Sequence, residues 1–143
     1  MELKTVCFKG NEDKLFKTAG RIREEVFLSE QGFSVEYDDI DKYAFHVIVF
    51  DGEKPVATAR FYGNENPVHI GRVAVVKEYR KKGVGEFLMK QTETYAKENG
   101  AVSATLGAQT RVSHFYRKCG YKEYGEEYMD EFCPHINMLK NFQ

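Results

Sequence analysis

The pattern of apolar and polar positions divides the chain into short strands and two long helical stretches. Residues 3–8 alternate loosely and predict a strand, which Gly10-Asn11 ends. Residues 12–28 carry Leu15, Phe16, Ala19, Ile22, Val26 and Phe27 at helical spacing on one broad face, with Asn11 placed to cap the helix. The apolar runs 44–50 and 56–62 flank Asp51-Gly52, which is the signal of a hairpin. A turn cluster follows at 63–67, and residues 68–76 predict the next strand. Residues 83–99 repeat the helical spacing, with Val84, Phe87, Leu88 and Tyr95 inward and Gly100 as the stop. Residues 102–108 form another strand pattern, and 110–119 a short helix ended by Gly120. The last strands are expected at 121–124 and 135–139, separated by the acidic stretch 126–131. Residues 29–42 are polar, acidic and weakly periodic, and predict a short helix and loop. Hairpins followed by strand–helix–strand give a mixed α/β fold with a mixed central sheet.

Composition narrows the class. At 143 residues without repeats or linkers, one domain spanning residues 1–143 is expected, large enough to bury a core. A hydrophobic content of 42% and a charged content of 30% suit a soluble globular protein. The net charge of −1 supplies no global basic field, so a nucleic-acid partner is not expected. No apolar run approaches the ~20 residues of a membrane span, and the N-terminal Met1-Glu2-Leu3-Lys4 lacks the apolar core of a signal peptide. Three widely spaced cysteines do not form a disulfide framework, which points to a reduced, cytoplasmic protein. His114, Cys119, Cys133 and His135 lack the short paired spacings of a zinc site, so no metal is expected.

The most informative stretch runs from Val73 to Gly85. A β-branched run leads into the basic turn Arg80-Lys81-Lys82, and Gly83-Val84-Gly85 opens the second long helix. The first N–H groups of a helix have no partner within it and lie at the positive end of its dipole. Glycines at that point let an anion approach the backbone, so the pattern fits a phosphate or pyrophosphate site. The residues alone also fit a tight strand-to-helix turn with exposed lysines.

Arg80-x-x-Gly83-x-Gly85 after Val73-x-Val75 resembles the acetyl-coenzyme A motif of the GNAT acetyltransferase superfamily. A second stretch, Gln109 to Tyr121, resembles the family pattern Asn-x-x-Ala-x-x-Leu-Tyr-x-x-x-Gly-Phe. Tyr116 and Gly120 agree with it, while Gln109, Val112, Phe115 and Tyr121 replace the family residues. The resemblance covers about residues 21–138. Glu30-Gln31-Gly32 and His135-x-x-Met138 are similar to a small bacterial subgroup of single-domain members.

The resemblance implies the acyl-CoA N-acyltransferase fold, in which two parallel strands part at their C-terminal ends. It implies acetyl-CoA as cosubstrate, held by Val73, Ala74, Val75, Arg80, Lys81, Lys82, Gly83, Val84, Gly85, Gln109 and Phe115. The Val73 N–H becomes the partner of the thioester carbonyl. Tyr116, a phenol protonated at neutral pH, becomes the acid that protonates the departing thiolate, directly or through a hydrogen bond. Read without the family, a core tyrosine on the helix 110–119 is the more common reading of Tyr116. His69 shares strand parity with Val73 and Val75 and is a candidate base, or simply a solvent-facing histidine at a strand end. Phe27, Glu30, Gln31 and Glu36 fall where the family's acceptor site lies, although the acidic loop also reads as a solvated surface. Arg60 and Arg72 either meet an anionic substrate or pair with the acids of 36–41. The partner implied is a primary amine on a small molecule or peptide, with a homodimer left open. Two alternatives remain: a non-catalytic acyl-CoA-binding module of the same fold, and an unrelated nucleotide-binding domain sharing the Gly-x-Gly turn.

Overall fold

The computed structural model describes residues 1–33, 37–63 and 66–142. Seven strands form one sheet: β1 (Leu3–Lys9), β2 (Phe45–Asp51), β3 (Lys54–Tyr62), β4 (Val68–Val75), β5 (Ser103–Gln109), β6 (Lys122–Asp130) and β7 (Cys133–Asn141). Their order is β1-β2-β3-β4-β5-β7-β6. All neighbours are antiparallel except β4 and β5, which run parallel. The mixed α/β fold expected from the pattern is therefore present.

The β4–β5 junction departs from ordinary pairing. It consists of Val68↔Ala104 and His69↔Thr105 and then ends. Beyond it the two strands part, so the edge of β4 from Ile70 to Val75 has no strand partner on that side among the described residues. β4 also carries an extra residue against β3, because Arg60 pairs with Gly71 while Thr58 pairs with Ala74. Arg72, in the bulge, has φ +50. A bulge of this kind re-aims the side chains beyond it.

The two faces of the sheet are covered by different helices. α1 (Leu15–Arg23) lies on the face of Phe8, His46 and Arg60, where the Phe16 ring meets His46 edge-on at 5.1 Å between centroids. α2 (Val84–Glu98) lies on the other face, where the Tyr95 and Thr5 hydroxyls are 2.8 Å apart. Ala19 and Ile22 from α1, Leu88, Met89 and Ala96 from α2, and Val47, Ile48, Val49 and Ala59 from the central strands build the apolar core. α3 (Ser113–Lys118) follows β5 through a single turn of 3₁₀ helix.

Three local expectations are corrected. Asn11 does not cap α1; the Asp13 carboxylate accepts from the Leu15 N–H instead, one turn later than the pattern indicates. The helix expected over 12–28 is α-helical only to Arg23 and continues as a π-helix, Glu24–Glu30. The apolar period survives the change of winding, which is why the sequence does not reveal it. The acidic stretch 126–131 is not a separating loop but belongs largely to β6, an exposed edge strand whose charged side chains keep it soluble.

Candidate active site

The turn after β4 is shaped for an anion. Lys81 and Gly83 both have positive φ, +62 and +83, and α2 begins immediately afterwards. The first intrahelical bond runs from the Phe87 N–H to the Gly83 carbonyl, which leaves the N–H groups of Val84, Gly85 and Glu86 without an intrahelical partner. A side chain at Gly83 would point into open space, whereas one at Gly85 would meet the Phe115 ring at 3.0 Å. The two glycines thus have different reasons: Gly83 provides the left-handed turn and an open approach, and Gly85 lets α3 pack close to α2. Val84 is fully buried, and its side chain packs into the core rather than toward a ligand.

Arg80 is committed elsewhere. Its Nε donates to the Val75 carbonyl at 3.0 Å, and its guanidinium grips the Glu30 carboxylate with both terminal nitrogens, one at 2.7 Å. The hydrogen bond from Arg80 holds the Glu30 carboxyl below its usual range, against a smaller opposing effect of burial. Arg80 is thus held by Glu30 and the Val75 carbonyl, and Lys81 and Lys82, both exposed, are further cations at the same turn. Lys82 lies over the Tyr79 ring at 5.6 Å.

The end of the π-helix spans the gap between the parted strands. Glu30 binds the β4 side through Arg80, and Gln31 accepts a hydrogen bond from the Gln109 side chain at the end of β5 at 2.9 Å. Residues assigned separately to cofactor and acceptor, Arg80 and Gln109 on one hand and Glu30 and Gln31 on the other, are therefore in direct contact. Phe27 meets Phe33 edge-on, and Phe33 contacts Phe132 of the β6–β7 turn at 5.1 Å, which gives this side an aromatic wall. Glu36 lies outside the described residues.

Val73 and Val75 are half-buried on the unpaired stretch of β4, and Ala74 is buried. Tyr116 is buried, with its ring edge-on to Phe115 at 5.0 Å and to Tyr121 at 6.2 Å. Burial, aided by the neighbouring Cys119, pushes its phenol above the ordinary range. A phenol so raised is a weaker acid than a thiol, so it suits a standing hydrogen-bond donor rather than a group that gives its proton away.

His69 does not share a face with Val75. The β4 bulge breaks the alternation: His69 and Gly71 pair with Tyr62 and Arg60, whereas Val75 pairs with Ala57, on the other face. The His69 ring is stacked on Tyr62 at 5.0 Å, and His69 pairs with Thr105, where β4 and β5 are still joined. Arg60 and Arg72 resolve to the second alternative. Arg60 binds Asp38 at 2.7 Å and Asp41 at 2.8 Å, Arg72 binds Asp38 at 3.2 Å, and Arg23 joins Asp41 at 2.9 Å. Among the described residues, no group of three or more His, Cys, Asp or Glu is placed to hold a metal.

Comparison with known proteins agrees with this geometry. The family described as "Acetyltransferase (GNAT) domain" matches residues 16–142. The uncharacterized N-acetyltransferase YjcF of Bacillus subtilis is 39% identical over 142 residues, 97% of this chain and 100% of that protein. The crystal structure of an acyl-CoA N-acyltransferase from Pseudomonas aeruginosa superimposes with a TM-score of 0.87 at 26% identity, covering 97% of this chain and 99% of that one. Escherichia coli ElaA gives a TM-score of 0.86 at 26% identity over the same shares. The chain belongs to the GNAT acetyltransferase family, and its fold is that of acyl-CoA N-acyltransferases.

Proposed function

We propose that the protein transfers an acetyl group from acetyl-CoA to a primary amine of a small molecule or peptide, by direct attack in a ternary complex. The observation that carries this reading is the parting of β4 from β5 beside the Arg80–Gly85 turn. An unpaired strand edge offers N–H and C=O groups to a pantetheine arm, as one more strand would. The free N–H groups at the start of α2, with Lys81 and Lys82, meet the pyrophosphate. Phe115 and Gln109 flank the arm.

In this reading the Val73 N–H donates a hydrogen bond to the thioester oxygen, where negative charge develops. The Tyr116 hydroxyl donates a hydrogen bond to the departing thiolate, whose proton then comes from water. The acceptor enters from the π-helix side, past Phe27, Glu30 and Gln31, so that amine and thioester meet in the gap. The chemistry is that of a cytoplasmic enzyme with no metal.

Thiol release from acetyl-CoA with a panel of primary amines tests the proposal, alongside CoA binding. Amine-dependent release is the expected result. CoA binding with no release for any amine would leave a binding module of the same fold, and no CoA binding would remove the reading.

A further inference from the structure

The acceptor of such a reaction is an ammonium ion at neutral pH and must lose a proton before it attacks. His69 is poorly placed for this, at the joined end of β4 and stacked on Tyr62. His135 is placed differently. Counting four residues from the His69↔Thr105 pair brings β4 to Val73 and β5 to Gln109, and Gln109 pairs with His135 on β7. The extra residue in β4 shifts this by about one position, roughly 3.3 Å. Along the strand direction His135 therefore lies about level with Val73, with β5 between them. Paired residues share a face, and the Gln109 side chain on that face binds Gln31 at the end of the π-helix. His135 thus faces the acceptor side, while Lys140 of β7, on the opposite face, binds Glu93 of α2.

The ring itself is fixed. Its Nδ1 is 2.9 Å from the Cys133 carbonyl, an acceptor, so Nδ1 carries the hydrogen and Nε2 of the neutral ring is the basic nitrogen. The Tyr128 ring stacks on it at 5.7 Å, and the Asp130 carboxylate lies 3.9 Å from Nε2. Among the described residues, the groups facing the imidazole are Asp130 and Tyr128 from β6, the Cys133 end of its own strand, and the uncharged Gln109 from β5. Asp130 is the anion among them.

We infer that His135 is the general base of the reaction, taking a proton at Nε2 from the acceptor ammonium directly or through one water, with the Asp130 carboxylate beside that nitrogen. This rests on the acetyltransferase reading. The free amine forms its N–C bond to the acetyl carbon as the C–S bond breaks and the thiolate leaves with the electron pair. The nitrogen gives its second proton to water, the thiolate takes one from water, and the imidazolium returns its proton to solvent.

The test is the pH dependence of kcat/KM for the wild type, His135→Asn and Asp130→Asn. The asparagine amide keeps a donor for the Cys133 carbonyl but has no titrating nitrogen. His135→Asn is expected to lose about 10²-fold at pH 7 and the acid limb of the profile, with acetyl-CoA affinity unchanged. Its deficit should shrink as pH rises toward the acceptor's own pKa, where the amine is neutral without help; a merely structural role would not give that recovery. Asp130→Asn, at a position 58% exposed, keeps the fold testable. It removes the carboxylate beside Nε2 and should lower kcat/KM with acetyl-CoA affinity unchanged. A His135→Asn deficit equal at all pH values, or none, or an unchanged kcat/KM in Asp130→Asn, overturns the assignment while wild-type turnover still supports acetyl transfer. Absence of wild-type turnover with every amine overturns both.

Discussion

Two arginine–carboxylate contacts tie the first helical region to the sheet, and they differ in what water can reach. Arg23, Asp41 and Arg60 are 1%, 2% and 4% exposed at their side chains, whereas Arg80 and Glu30 are 37% and 35% exposed. In the first cluster each charge has lost its hydration and depends on its partners. Burial alone would raise the Asp41 carboxyl, but the hydrogen bonds and charges of Arg23 and then Arg60 outweigh it and hold it low. In the second contact solvent screens the pair, and removing one partner leaves a residue that water can accommodate. The same chemistry is thus a fixed pin at one end of the segment and a releasable clasp at the other. The clasp is the one that touches the proposed site.

The largest effect follows from breaking the pin. Asp41→Ala leaves two buried guanidinium groups without their shared partner, and should cost about 3–5 kcal/mol. Urea unfolding followed by circular dichroism measures this; a loss under 1 kcal/mol would show that the cluster is not a buried ion network. Next in size, Tyr116→Phe should lower turnover by about 10²-fold, the scale of one lost hydrogen bond to developing charge, with CoA affinity retained. Equal turnover in the variant would leave Tyr116 as packing only.

The pH dependence separates the two contacts further. Asp38, held by its Arg60 hydrogen bond, and Asp41 both have carboxyls below the ordinary range in the folded chain. His46, beneath the cluster, is held below its ordinary value mainly by burial. Lowered groups stabilise the fold above their unfolded pKa and lose that contribution as pH falls. Stability should therefore begin to decline below about pH 6.5, through His46, and fall more steeply below about pH 4, through the carboxyls. A midpoint of urea unfolding that stays constant from pH 7 to pH 4 would contradict this. The smallest effect belongs to the clasp: Glu30→Gln should change stability by less than about 1 kcal/mol. A larger loss in the same unfolding assay would make it a second pin.

Much of this was legible in the residues, for identifiable reasons. The strand and helix order follows from local periodicity, and the Arg80–Gly85 turn from the conjunction of basic residues and glycines before a helical run. The π-helix was not legible, because Val26 and Phe27 satisfy the apolar spacing in either winding. The bulge in β4 was not legible either. Nothing in Gly71-Arg72-Val73 marks an inserted residue, and assuming unbroken alternation placed His69 on the face of Val75. Arg80 and Glu30 lie 50 positions apart, so only the fold could show that a residue given to the cofactor and one given to the acceptor hold each other. His135 stood out in the sequence through the His135-x-x-Met138 resemblance, and its value as a base depends on β7 lying beside β5.

The central claim is that the turn at Gly83 binds the pyrophosphate of acetyl-CoA. Calorimetric titration of acetyl-CoA into the wild type, Gly83→Asn and Gly83→Asp tests it most directly. Asparagine and aspartate both tolerate the left-handed backbone better than other side chains and are nearly equal in size, so they differ at this site in charge. The account predicts tight binding by the wild type, a modest loss in Gly83→Asn, and at least a further tenfold loss in Gly83→Asp, equivalent to about 1.4 kcal/mol. Equal acetyl-CoA affinity in the two folded variants would contradict it.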